Sequence, residues 1–297
     1  MTPDHLIDLH DFSRTDIEEL FELTDEMKAN PEEFASVMDN KTLVMLFAKP
    51  STRTRLSFET GMIQLGGHRI FFELGESQLG RGEPISDTSK VMSRYEDAIM
   101  ARLFDHEDMV ELAEHADVPV VNGLTDFLHP CQALTDLYTL HEKDKLDTLA
   151  FIGDGNNVAH SLMQACATMD LSCRVAVPEG MEPDEEIVER VSDADVTVTN
   201  DPYEAVDGAT AVYTDVFVSM GEEDKREEKL AEFDGYQVDQ DLMDAARDDA
   251  VFMHCLPAHR GEEVTAEVIE GPQSVVFDQA ENRMHVQKAI LHSLVNE

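Results

Sequence analysis

The residues best suited to chemistry begin with Ser51-Thr52-Arg53-Thr54-Arg55, which follows an apolar run and Pro50 and leads into a helical pattern. Lys49, Arg53 and Arg55 place three of the chain's 22 basic residues within seven positions. A strand that enters a helix through such a segment offers an anion free backbone N–H groups, the positive helix end, hydroxyl donors and forked guanidinium groups. The anion that fits is a phosphate. The segment is not a P-loop, having no G-x-x-x-x-G-K, and its plain alternative is an N-cap with solvated arginines.

Four more clusters could contribute. In His129-Pro130-Cys131-Gln132 the proline suits a first helical turn, and His129 at its mouth, with Gln132 beside it, can donate to a carbonyl or an oxyanion. Taken alone, it reads as a capping histidine. Gly153-Asp154-Gly155-Asn156-Asn157 has the outline of a dinucleotide turn but carries Val158 where the third glycine belongs. An ordinary tight turn fits equally, with Asn156 and Asn157 offering amides. Asp215 ends an apolar run before Ser219-Met220-Gly221, where an acid can hold an ammonium or simply be one more acid. Cys255 ends another run in His254-Cys255-Leu256-Pro257. Zinc on His254, Cys255 and His259 lacks a fourth ligand at standard spacing, and packing is the commoner fate of such a thiol.

These clusters need elements to hold them. Apolar runs of strand length recur at 42–48, 68–74, 97–103, 119–124, 148–153, 173–178, 197–200, 211–216, 251–256 and 274–279, between amphipathic stretches of helix length. Continuous apolar strands alternating with helices predict parallel sheets covered on both faces. The fold class is α/β: two doubly wound domains with parallel sheets, joined by interdomain helices. A charged turn at 141–147 marks the boundary, giving domains at 1–143 and 144–278 and a C-terminal helix at 279–297.

Composition narrows the partners. With 22 Lys plus Arg against 63 Asp plus Glu, the formal charge is 22 − 63 = −41. Such a surface repels phosphate backbones and anionic lipid, so nucleic acid and membranes are excluded as partners. At 42% hydrophobic residues the chain still folds, and the surplus, spread over helix faces, points to a salt-rich cytoplasm that screens it. No run approaches the roughly 18 apolar residues of a membrane span, and the first residues lack a secretory leader pattern, so the expected location is cytoplasmic. The four cysteines, 131, 166, 173 and 255, have no paired spacing and are expected to be reduced.

Taken together, S-T-R-T-R at 51–55, Q-L-G-R-G-E at 78–83, A-R at 101–102, H-P-C-Q at 129–132, G-D-G-N-N at 153–157, D-V-F-V-S-M-G at 215–221, H-C-L-P at 254–257 and Arg283 closely resemble the ornithine carbamoyltransferase family over essentially the whole chain. The resemblance implies a carbamoyl-phosphate domain followed by an ornithine domain, a final helix returning to the first, and trimer-based homo-oligomers. It implies a carbamoyl-phosphate site of Ser51, Thr52, Arg53, Thr54, Gln78 from a neighbouring subunit, Arg102, His129, Pro130, Cys131, Gln132, Cys255, Leu256 and Arg283. It implies ornithine contacts at Asn157, Asp215, Ser219 and Met220, and a cis Leu256–Pro257 bond. Arg102, His129 and Cys255 are then the catalytic candidates, the substrates are carbamoyl phosphate with L-ornithine or citrulline, and no metal or cofactor is required. Rival readings are a carbamoyltransferase for putrescine or an acylated ornithine, and a dinucleotide-dependent dehydrogenase or nucleotide-binding module built on Gly153 and Gly155.

Overall fold

The computed structural model of the chain describes residues 4–76, 82–218 and 226–296. The chain divides into two compact units, one of Met1–Leu134 with Asn282–Glu297 and one of Thr135–Glu281.

In the first unit α1 (Arg14–Ala29), β1 (Thr42–Phe47), α2 (Thr52–Gln64), β2 (His68–Glu73), α3 (Ile85–Tyr95), β3 (Ala98–Arg102), α4 (His106–Glu114) and β4 (Val120–Leu124) lead to the start of α5 (Pro130–Glu142). The strands form one parallel sheet ordered β2-β1-β3-β4. Val44, Leu46, Ile99 and Ala101 alternate onto one face and pack with Met109, Leu112 and Ala113 of α4. Their neighbours Leu43, Met45 and Met100 are also buried, so both faces are covered, as uninterrupted apolar strands require. The order reverses between β1 and β3, and at such a switch point the carboxyl ends of the strands open a crevice for ligands.

The second unit runs through the rest of α5, then β5 (Thr148–Ile152), α6 (Asn157–Thr168), β6 (Ser172–Ala176), α7 (Glu185–Arg190), β7 (Val196–Thr199), α8 (Pro202–Val206), β8 (Ala211–Thr214), α9 (Arg226–Glu232), α10 (Gln240–Ala245), β9 (Val251–His254), α11 (Ala266–Ile269) and the start of α12 (Val276–Asn296). Its parallel sheet has the order β7-β6-β5-β8-β9, with the switch between β5 and β8. Ala150, Ile152, Val212 and Phe252 pack against Ala205, Val206, Leu242, Met243, Val268 and Ile269.

One expected strand is absent. The apolar run at 274–279 makes a single bridge, Phe252 to Ser274, and then becomes the first turn of α12. Short apolar runs fit strand and helix alike, and here buried Val276, Gln279, Arg283, Val286 and Ile290 recur at helical spacing and continue the pattern for 21 residues.

Candidate active site

The first-unit cluster assembles at the switch point. Register pairs Phe47 at the end of β1 with Arg102 at the end of β3, so the segment after β1 and the Arg102 side chain share one sheet edge. Ser51 caps α2: its hydroxyl accepts from the Thr54 N–H at 3.3 Å and donates to Thr54 Oγ1 at 3.0 Å. α2 carries no acidic residue in its first turn, leaving its positive end uncompensated for an anion. Arg283 of α12, buried like Thr54, donates from Nη2 to Thr54 Oγ1 at 2.8 Å.

His129, at the mouth of α5, is buried, as are Arg102 and Gln132. Burial, then the positive charges of Arg283 and Arg102, hold its pKa well below the ordinary imidazole value. His129 is therefore a neutral ring able to donate one N–H. Cys131 faces the core instead. Its thiol donates to the Asn122 carbonyl at 3.4 Å, and burial pushes its pKa up to about 12, so it packs as a thiol while only its backbone stays with the α5 terminus.

The three basic residues of 49–55 part company. Lys49 pairs with Asp126 and lies 4.5 Å from the centroid of the Phe104 ring. Arg55 pairs with Glu59 at 2.9 Å and stacks 3.7 Å from the Phe71 centroid on the outer face of α2. Arg53, half-exposed beside exposed Thr52, is engaged by no ion pair among the described residues. The full local charge expected of the segment is thus reduced to Arg53, joined by Arg102 and Arg283 from elsewhere in the unit. Gln78, Ser219 and Met220 lie outside the described residues.

In the second unit the turn after β5 leads into α6, whose N-cap is Asn156, its side chain accepting from the N–H groups of Val158 and Ala159. Asn156 Nδ2 also donates to Asp215 Oδ2 at 3.4 Å, and Cys255 donates from Sγ to Asp215 Oδ1 at 3.1 Å. Asp215 is thus the hinge of a polar group at the β5–β8 switch. Asn157, the first residue of α6, accepts the Ser161 hydroxyl through its carbonyl. Gly155 answers a packing need: a Cβ there would come within 2.4 to 2.5 Å of the backbone at Met181, Glu182 and Pro183.

The Cys255 turn is itself held from beneath. His254 Nδ1 accepts from the Leu256 N–H at 2.8 Å, and its Nε2 meets Glu263 Oε1 at 3.2 Å, both residues fully buried. Gln279 Oε1 accepts from the His254 N–H at 3.0 Å, and its Nε2 donates to Asp136 at 2.7 Å. Leu256–Pro257 is cis, as the resemblance implied, and Leu256 sits at φ 61°. With both ring nitrogens of His254 bonded within the protein, the turn gives no support to the zinc set considered above.

Sequence reasoning did not single out Asn156 as the Asp215 partner, nor Tyr213, Glu263 and Gln279. An Asn just before an apolar-periodic segment is a strong N-cap signal and could have moved the emphasis from Asn157 to Asn156.

Comparison with known proteins identifies the family. Residues 4–142 match the aspartate/ornithine carbamoyltransferase carbamoyl-P binding domain and residues 146–294 the Asp/Orn binding domain of the same family. The chain belongs to the aspartate/ornithine carbamoyltransferase family. It is similar to the catabolic ornithine carbamoyltransferase of Halobacterium salinarum, 80% identical over 99% of this chain and 100% of that one. The ornithine carbamoyltransferase of Anoxybacillus flavithermus is 52% identical over 97% of this chain and 95% of its own. Among solved structures, ornithine carbamoyltransferase from Pyrococcus furiosus superposes with a TM-score of 0.92 at 48% identity, covering 97% and 95% of the two chains. The chain is an enzyme of this family, a carbamoyltransferase, and no described helix is long and apolar enough to cross a membrane.

Proposed function

We propose that this carbamoyltransferase moves the carbamoyl group of carbamoyl phosphate to the δ-amine of L-ornithine, giving L-citrulline and phosphate. The observation that carries the reading is the first-unit cluster: α2, β3, α5 and α12 bring Thr54, Arg102, neutral His129 and Arg283 to one sheet edge.

The roles follow from the side chains. Ser51, Thr52, Arg53 and Thr54, with the α2 N-terminus, take the phosphate; Arg283 holds Thr54 in place and adds positive charge. As the amine attacks, negative charge gathers on the carbamoyl oxygen, and Arg102, His129 and Thr54 donate to it; Gln132 holds the carbamoyl amide. A neutral His129 suits this role, because it donates a hydrogen bond without presenting a transferable second proton. The phosphate then leaves with the C–O bonding pair and accepts the proton that the attacking nitrogen sheds, so citrulline and hydrogen phosphate are the products. In the second unit Asp215, Asn156 and Asn157 hold the ornithine end, and Cys255 with Leu256 lies by the reacting amine. Proximity and oxyanion stabilisation supply the rate.

The reaction is reversible, and the likeness to a catabolic ornithine carbamoyltransferase in Halobacterium salinarum supports phosphorolysis of citrulline as the direction used. The enzyme works in a salt-rich cytoplasm as an assembly of copies built on trimers. Exposed Leu56 and Ile63 of α2, with Ile70 and Phe72 of the edge strand β2, support the assembly, because apolar side chains beside an open sheet edge call for a covering partner, here a second copy. A substrate panel of ornithine, putrescine, N-acylated ornithine and aspartate tests the assignment. Ornithine should lead in kcat/KM, and a preference for any of the others would move it.

A further inference from the structure

Asn156, Asn157 and Asp215, the residues assigned to the amine half-site, are braced by a residue of α9. Register sets Ile152 at the end of β5 beside Thr214 at the end of β8, so the turn through Asp154 and the segment through Asp215 leave the sheet side by side. Lys229 of α9 donates from Nζ to Asp154 Oδ2 at 2.7 Å, and the two side chains are 12% and 15% exposed. The pair of Arg260 with Glu270, by contrast, stands in water, its side chains 44% and 62% exposed. The Asp154 carbonyl accepts the Asn156 N–H at 2.7 Å, and Asn156 Nδ2 donates to Asp215 at 3.4 Å. A second line reaches the same place. Phe233, directly after α9 and four positions from Lys229, stacks on Phe217 with ring centroids 4.1 Å apart and planes 4° apart, both rings buried. Phe217 lies two residues after Asp215, so Asp215, Asn156, Asp154, Lys229, Phe233 and Phe217 close a ring.

We propose that Lys229 is a positioning residue for the amine half-site: its bond to Asp154 fixes the turn that places Asn156, and Asn156 orients the Asp215 carboxylate for the amine substrate. The link from Asn156 to Asp215 is the sensitive one. At 3.4 Å it stands at the long end of hydrogen bonding, so a small shift of the turn breaks it. The other end of the Asn156 amide is committed to the N–H groups of Val158 and Ala159, so its side chain cannot swing to follow a displaced Asp215 without uncapping α6. Because Lys229 and Phe233 belong to one continuous stretch, the turn and the Asp215 segment are held to the same support. The nearly dry setting of the pair also keeps it effective in molar salt, which screens exposed charges far more than buried ones.

The inference rests on Asp215 belonging to the amine half-site, and the test separates the two. Steady-state kinetics in molar KCl compare wild type with Lys229→Met, Lys229→Arg, Asp215→Asn and the double variant Lys229→Met with Asp154→Asn. Lys229→Met should raise KM for ornithine about tenfold and leave KM for carbamoyl phosphate within about twofold of wild type, because one half-site is displaced and the other kept. Lys229→Arg retains a cation of similar reach and should recover most of the affinity. An unmoved KM for ornithine in Lys229→Met, or an equal rise in both KM values, overturns the proposal. The double variant removes the carboxylate that Lys229→Met strands, and it carries the test if the single variant fails to fold. Its KM for ornithine should stay raised; a return to the wild-type value overturns the proposal, since the turn then needs neutrality and not the bond. Asp215→Asn should also raise KM for ornithine. If it does not, the half-site reading falls and the proposal with it, whereas a rise there without one in Lys229→Met overturns the proposal alone.

Discussion

Arg283 donates to Thr54 Oγ1 at 2.8 Å across 229 positions of sequence. One bond of this kind links the last helix to the first turn of α2, so the anion cradle depends on a residue far from S-T-R-T-R. Within the same unit Lys288 donates to Gln64 at 3.1 Å and Lys28 to Asn282 at 2.8 Å, so this stretch of α12 is tied to α2 and α1 at several points.

The cradle gives the first expectation. A forked guanidinium matches phosphate in a way an ammonium does not, so Arg53→Lys should raise KM for carbamoyl phosphate about tenfold, losing about 1.4 kcal/mol. Arg102→Ala removes an oxyanion donor and should lower kcat by about 10²- to 10³-fold. Steady-state kinetics with ornithine saturating checks both, and near-normal constants in the two variants would remove both roles.

His129 supplies a pH dependence. Its folded pKa is depressed, so below the unfolded value of about 6.5 the unfolded chain binds a proton that the native site refuses. This contribution to stability is therefore full above pH 6.5 and shrinks as pH falls, by up to about 1.4 kcal/mol per pH unit. Thermal melts from pH 8 to 5 should show a shallower decline in His129→Gln than in wild type. Equal slopes would mean that His129 is charged in the fold.

Gly155 separates the turn from a dinucleotide site. Gly155→Ala drives a methyl group into the backbone at Met181–Pro183 and should cost about 1–3 kcal/mol by overpacking. Denaturant titration measures the loss. A fluorescence titration of wild type with NAD(P)H should show no saturable binding; saturation at micromolar cofactor would restore the nucleotide reading.

Salt dependence follows from −41 charges per chain. At about 0.01 M salt the screening length is about 30 Å and the repulsion reaches across a whole subunit; at about 1 M it is about 3 Å. Circular dichroism and light scattering across a KCl series should show the melting temperature and the assembled mass rising together. A fully assembled, folded oligomer in millimolar salt would show that the acidity has another cause.

Much of this architecture was legible in the sequence, because parallel strands buried on both faces announce themselves as uninterrupted apolar runs, such as Val44–Phe47 and Leu149–Ile152. The capping of α2 by Ser51 was equally readable, since it depends on residues three apart. What stayed hidden depends on long-range pairing. That Lys49 would turn to Asp126, Arg55 to Phe71 and the Cys131 thiol to Asn122 is set by neighbours 77, 16 and 9 positions away, and no local pattern encodes it. The run at 274–279 misled for a local reason: three apolar residues fit either period, and only the following turns of α12 decide.

The most direct measurement is citrulline formation by the purified protein in molar KCl, from carbamoyl phosphate and L-ornithine, with no metal or nucleotide added. Citrulline and inorganic phosphate should appear in equal amounts, at a rate that collapses in Arg102→Ala while that variant keeps the wild-type melting curve. No citrulline from folded, assembled protein, or a rate indifferent to Arg102, would contradict the account.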